Sequence, residues 1–176
     1  ATCVAGILRE RVKRLILVEG LGPLSQPAEK VTELMRDSIQ QWNSLKTKKS
    51  PVYQNREEAV RARHFAGKLK KSSVETLVAR GLGENTDGLV WRSDPRLRIK
   101  SRLYLSEAQI LQMIQEVTAQ VLVIEAEDTD TRRWVDLLRS RLEYVKNLDH
   151  RILPGGHHLH LDEPQSVASA IKDFLE

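Results

Sequence analysis

The chain has 176 residues, 40% of them hydrophobic and 30% charged, which suits one ordinary domain with a single core and is too apolar for disorder. No apolar run approaches the roughly 20 residues of a membrane helix, residues 1–8 lack the basic start and long apolar core of a signal peptide, and Cys3 stands alone, so no internal disulfide is possible. Membrane-spanning and disulfide-stapled classes are thereby excluded, and the cytoplasm is the expected compartment. The net charge of +4 is unevenly spread: residues 46–71 hold nine Lys and Arg against Glu57 and Glu58. Without the interleaved aromatics or reading motif of a nucleic-acid binder, this run reads as a solvated helical face, and no nucleic-acid partner is expected.

In chain order, residues 2–9 read as a short apolar helix, and Leu15-Ile16-Leu17-Val18-Glu19 as a buried strand that Gly20-Leu21-Gly22-Pro23 ends in a loop. From Ala28 to Trp42 the residues Val31, Leu34, Met35, Ile39 and Trp42 recur at helical spacing, so an amphipathic helix is predicted. Asn55 followed by Glu57 and Glu58 is an N-cap with acids in the first turn, opening a helix towards His64 or Phe65. Ser72 or Ser73 is placed to cap another that ends near Gly81. The Asp87-Gly88 and Ser93-Asp94-Pro95 turns bracket short extended segments at 89–92 and 97–99, a hairpin-like insertion. Ser106 with Gln109 forms a capping box before Ile110, Leu111, Ile114 and Val117.

The second buried strand is Val121-Leu122-Val123-Ile124, followed by the acidic loop Glu125-Ala126-Glu127-Asp128-Thr129-Asp130. A helix over 134–142 packs Trp134, Leu138 and Leu142. Residues 150–153 give a third short strand, Pro154-Gly155-Gly156-His157-His158 a glycine turn, and 164–176 a last helix facing Val167, Ile171 and Phe174 inward. Strands alternating with helices at this spacing imply a parallel sheet with right-handed crossovers. Ligands collect outside the carboxyl ends of such strands, here the loops at 20–24, 127–130 and 155–158. A carboxylate on one loop that accepts from one imidazole nitrogen, leaving the other to take a proton, is the arrangement of an oriented general base.

The segment Leu15 to Gly22, the run Trp91-Arg92-Ser93-Asp94-Pro95-Arg96-Leu97, the acidic loop and Gly155-Gly156-His157 with His160-Leu161-Asp162-Glu163-Pro164 resemble the C-terminal portion of an α/β-hydrolase. The resemblance covers nearly the whole chain. It implies an α/β fold: about three parallel strands of the hydrolase sheet, from 1–24 and 118–176, with 25–117 as a helical cap insertion. It also implies ester or related acyl hydrolysis by a Ser-Asp-His triad, with a small ester-like substrate and no cofactor. In that family the Ser sits in a G-x-S-x-G elbow before the acid and the His. The chain contains no such elbow, and residues 2–9 resemble the remainder of the helix after it, so the nucleophile is expected upstream of Ala1 and the 176 residues alone are expected to be inactive.

Carried over by position, His157 matches the general base. Asp128 is the leading acid, with Asp130 and Glu127 as alternatives a small loop shift away. Leu21, Gly22, Trp91 and His158 are the expected substrate contacts. Trp42, Phe65, Trp91 and Leu103 are candidates to line the cap, although Trp42, on its apolar stripe, reads first as core. His157, His158, His160 and Asp162 lack metal-site spacing, so no metal is expected. Two other readings stand beside the serine hydrolase. One is a non-catalytic module that binds a partner or a second copy through an open sheet edge. The other is a haloalkane dehalogenase or epoxide hydrolase with Asp at the elbow.

Overall fold

The apolar runs of the sequence fold into a parallel sheet in which Val121, Leu122, Val123 and Ile124 of the middle run are buried on both faces. A computed structural model describes residues 1–45, 47, 50–67, 69–129 and 132–176, the side chains of 132 and 133 excepted. The elements are α1 (Thr2–Leu8), β1 (Arg14–Val18), α2 (Val31–Leu45), α3 (Arg56–Phe65), α4 (Lys71–Gly81), β2 (Leu82–Asn85), β3 (Gly88–Trp91), α5 (Glu107–Gln115), β4 (Gln120–Ala126), α6 (Arg132–Leu142), β5 (Leu148–Leu153), α7 (Leu159–Asp162) and α8 (Pro164–Leu175). They divide into two units, 1–28 with 105–176, and 29–104.

In the first unit, among the described residues, the sheet runs β1-β4-β5 with both pairings parallel. Alternation along the strands sends side chains to two cores. Leu15, Val121 and Val123 pack with Ala5, Ile110, Ile114 and Leu138 on one face, while Leu122, Ile124 and Ala126 pack with Leu159, Val167 and Ala170 on the other. Ile110 and Ile114 place α5 in the sheet unit. The division between the two units falls after residues 28 and 104, so α5, whose apolar face fills the sheet's core, lies in the sheet unit. The Ser106 capping box fixes its start: Ser106 Oγ accepts from Gln109 N, and Gln109 Oε1 accepts from Ser106 N at 2.9 Å.

Helix α1 crosses α5 at backbone contact. A Cβ built on Gly6 would lie 2.3 Å from the Met113 carbonyl oxygen. Backbone cannot yield as a side-chain tip does, so Gly6→Ala is expected to destabilise this unit by about 1–3 kcal/mol. A lowered urea midpoint with an unchanged m-value would register it; an unchanged midpoint would show that the helices separate freely.

The second unit, 29–104, holds α2, the pair α3 and α4, and the β2–β3 hairpin. Asn55 caps α3 as expected, its Oδ1 accepting from Glu58 N at 2.9 Å. The N-cap of α4 is Lys70 rather than a serine, and its side chain makes no capping hydrogen bond. The hairpin turns on Asn85, whose Oδ1 accepts from the amides of Asp87 and Gly88. The segment expected to be extended at 97–99 instead begins inside a 3-10 turn over 95–98, where Asp94 Oδ1 accepts from Arg96 N at 2.8 Å.

The α2 stripe departs furthest from expectation. Val31, Met35, Ile39 and Trp42 are exposed, and Ser38 is the buried residue. The polar row turns inward because it binds a neighbouring segment: Ser38 Oγ donates to Lys100 O at 2.8 Å, Gln41 Oε1 accepts from Lys100 N at 3.0 Å, and Asp37 pairs with Lys100 Nζ. Trp42 is not core; its indole lies under the Arg102 guanidinium at 5.2 Å, a cation–π contact. Phe65 and Leu103 are also exposed.

Candidate active site

The carboxyl ends of β1, β4 and β5 bring three loops of the first unit together, and the decisive residue is Glu19. It follows the last residue of β1, is buried, and holds a left-handed backbone with φ 55°. For a residue with a Cβ this conformation is costly and persists only where surrounding bonds impose it. Here the Glu19 amide donates to Ile124 O at 2.8 Å, and its carbonyl accepts from the Trp134 indole Nε1 at 2.6 Å.

The Glu19 carboxylate is fully engaged. Oε1 accepts from Ala126 N at 2.6 Å, while Oε2 accepts from the Thr129 hydroxyl at 2.6 Å and lies 2.9 Å from His157 Nδ1. A buried carboxylate is tolerated when its lone pairs are met in this way. The imidazole is half-exposed, 52% by its side chain, so one edge of the ring meets the acid and the other is accessible. A carboxylate acceptor requires the proton on Nδ1, which leaves Nε2 as a free base site.

The glycine turn delivers the ring. Gly155 has φ 119°, and its carbonyl accepts from Asp128 N at 3.0 Å, tying the loop after β5 to the loop after β4. The Gly156 carbonyl accepts from Leu159 N at 2.8 Å and starts α7. His158 stacks obliquely on His157 with ring centroids 5.0 Å apart.

The expected residues separate accordingly. His157 meets a carboxylate, but from the loop after β1: Asp128 is exposed and contributes its amide rather than its side chain to the loop contact. Glu127 likewise bonds through its backbone, to Leu153 O, and Asp130 lies outside the described residues. Leu21 is buried in the core, so its side chain lines no surface. Gly22, at φ 83°, donates its amide to Thr2 Oγ1 at 3.1 Å, and a Cβ there would meet Ile110 at 3.0 Å; it serves the turn. Trp91 belongs to the other unit, its indole donating to Tyr53 Oη at 3.3 Å. Glu19, the carboxylate that meets His157, was not among the expected residues, although the sequence carried a signal for it: a carboxylate ending an otherwise apolar strand, directly before glycine.

The loop bearing Glu19 is clamped from behind by a buried arginine. Arg141 Nη1 donates to Leu21 O at 2.6 Å and Pro23 O at 2.9 Å, while Nε and Nη2 each reach a Glu107 carboxylate oxygen at 2.7 Å. The guanidinium, then the Ser25 hydroxyl, holds the Glu107 carboxyl below the usual glutamate range. Beside this loop lies a cleft of about 650 Å³ lined by Leu24, Gln26, Trp134 and Leu137, with Ser25, Asp136 and Ser140 at its edges.

A structure determined for a hypothetical protein of Pseudomonas aeruginosa PAO1 is 34% identical, superposes with a TM-score of 0.86, and is matched over 99% of this chain and 62% of its own. A serine hydrolase-like protein of Dictyostelium discoideum is 25% identical over 189 residues, covering 99% of this chain and 52% of the relative. The chain belongs to the α/β-hydrolase superfamily. The thioesterase domain from the curacin biosynthetic pathway shares the fold, with a TM-score of 0.75 at 21% identity over 98% of this chain and 62% of that domain. No protein-family model matches. This α/β-hydrolase chain spans about half the length of the curated relatives it matches. No helix among its described residues is long and apolar enough to cross a membrane.

Proposed function

We propose that the whole protein hydrolyses esters or related acyl compounds, with His157 as general base and then acid, Glu19 as the orienting acid, and a serine supplied by chain outside these 176 residues. The observation that carries this reading is the 2.9 Å contact between His157 Nδ1 and the buried Glu19 carboxylate at the carboxyl edge of the sheet. With Nδ1–H held by Glu19, Nε2 takes the proton of the attacking hydroxyl and returns it to the leaving group. The acyl-enzyme formed by serine attack is then hydrolysed by water activated at the same nitrogen. The order Glu19 before His157, with the nucleophile earlier still, keeps the chain order of the superfamily.

Glu19 takes the role that Asp128 was expected to fill because its side chain, unlike that of Asp128, reaches the ring. The cleft beside Trp134 fits an apolar acyl or alcohol portion, its indole linking the cleft wall to the Glu19 main chain. The unit 29–104 stands where the superfamily inserts a cap, and the reading assigns it that role.

The test is made on the full-length gene product with a fluorophosphonate probe and a p-nitrophenyl ester. One serine adduct is expected, mapping N-terminal to Ala1 of this sequence, together with ester turnover that the probe abolishes. Turnover without a serine adduct, or with a covalent intermediate on aspartate, would replace this reading with the dehalogenase or epoxide-hydrolase type. No turnover of any acyl ester would remove it.

A further inference from the structure

The basic run noted in the sequence is concentrated in one unit. Residues 29–104 contain 17 Lys and Arg and nine Asp and Glu, a net +8, which leaves the sheet unit at −4. Within that excess, no acidic residue occurs between Glu58 and Glu75, an interval that holds five Lys and Arg. Among the described residues of this interval, the end of α3 and the start of α4 form the tip of a helical hairpin. Ala59, Leu69, Val74 and Val78 are buried and hold α3 and α4 together. Arg61 and Arg63 stand near the end of α3, and Lys70 and Lys71 at the start of α4. Arg61, Lys70 and Lys71 are exposed.

At the same tip is Phe65, the last residue of α3, 96% exposed. It is the only Phe, Trp or Tyr between Tyr53 and Trp91. Strands of nucleic acid are gripped by several stacking aromatics along a basic groove, and this tip has one. A single apolar ring projecting among cations instead matches the boundary between anionic headgroups and acyl chains, where the ring enters the apolar layer and the cations remain with the phosphates. We propose that the α3–α4 tip is a docking surface for an anionic lipid bilayer, with Phe65 as its inserted side chain and Arg61, Arg63, Lys70 and Lys71 as its electrostatic contacts. This inference is independent of the acyl chemistry proposed for Glu19 and His157.

The experiment is vesicle flotation of the full-length protein with phosphatidylcholine alone or with about 30% phosphatidylserine, at about 50 and 500 mM NaCl. Co-flotation is expected with the anionic vesicles at low salt, falling at least tenfold, roughly, at high salt or on neutral vesicles. Two surface variants read the two contributions separately. Arg61→Glu with Lys71→Glu should lower binding by about tenfold or more, and Phe65→Ser by several-fold at either salt. Arg98→Glu, outside the tip, should bind as the parent does. Absence of binding to anionic vesicles at low salt would overturn the proposal, as would tip variants that float as well as the parent. Weak flotation beside a salt-sensitive RNA shift lost in the same variants would reassign the tip to nucleic acid and overturn it too.

Discussion

Glu19→Gln in the full-length protein is expected to lower kcat by about 10³–10⁴-fold while the protein stays folded. The size of the effect follows from who donates to whom. Ala126 N–H is a fixed donor facing Oε1, so the oxygen of the substituted amide stays there. The amide nitrogen then occupies the Oε2 position, opposite Thr129 and His157. The Thr129 hydroxyl can rotate to accept, but His157 can meet an N–H only by presenting a bare Nδ1. Its proton then moves to Nε2, the nitrogen that must accept one from the nucleophile. His157→Ala should lose at least as much, and the double variant little more, since residues acting as one unit are not additive. Steady-state kinetics with circular dichroism as the folding control decides it. A Glu19→Gln enzyme within about threefold of the parent would remove Glu19 from the mechanism.

Arg141→Ala is expected to cost about 3–5 kcal/mol of stability, more than any other single change argued from this fold. Four bonds fail together. The guanidinium is 1% exposed, and its loss leaves the Leu21 and Pro23 carbonyls without their donor and Glu107 without its bidentate partner. Arg141→Lys keeps the charge but not the fork, and should be destabilised as well. The sign of the pH dependence is fixed by Glu107, whose folded-state carboxyl is held below its ordinary value of 4.5 by Arg141 and Ser25. A depressed carboxyl pKa contributes stability that is fully present above the unfolded value and is lost as pH falls through the lower folded one. Urea denaturation at pH 7 and at about pH 3 should therefore show part of the parent's acid slope missing in Arg141→Ala. Equal stability of the two proteins at pH 7 would refute the clamp.

What was legible in the sequence is what local chemistry determines. The strands at 15–18 and 121–124 were visible because buried parallel strands are continuous apolar runs, and Asn55 and the Ser106–Gln109 pair because capping depends on neighbours three residues away. The glycine turn before His157 was visible for the same reason. The carboxylate that meets His157 was not, because Glu19 and His157 are 138 residues apart and meet only when β4 lies between β1 and β5. Spacing favoured the loop after β4, but that loop bonds the Leu153 and Gly155 carbonyls through its amides and Glu19 through the Thr129 hydroxyl. The α2 stripe misled because amphipathicity identifies two faces without saying which one a partner covers. Segment 96–102 offered carbonyl, amide and ammonium groups, so the polar face won.

The left-handed main chain at Glu19 carries a final implication. Its amide and carbonyl are tied to β4 and to α6, so the carboxylate is positioned by the skeleton of the sheet rather than by the preferences of a mobile loop. Releasing it requires breaking strand pairing, which belongs to the most protected cooperative unit of such a fold. Heat inactivation and collapse of the domain should then be a single event, with no warm regime in which the protein is whole but its chemistry has already loosened.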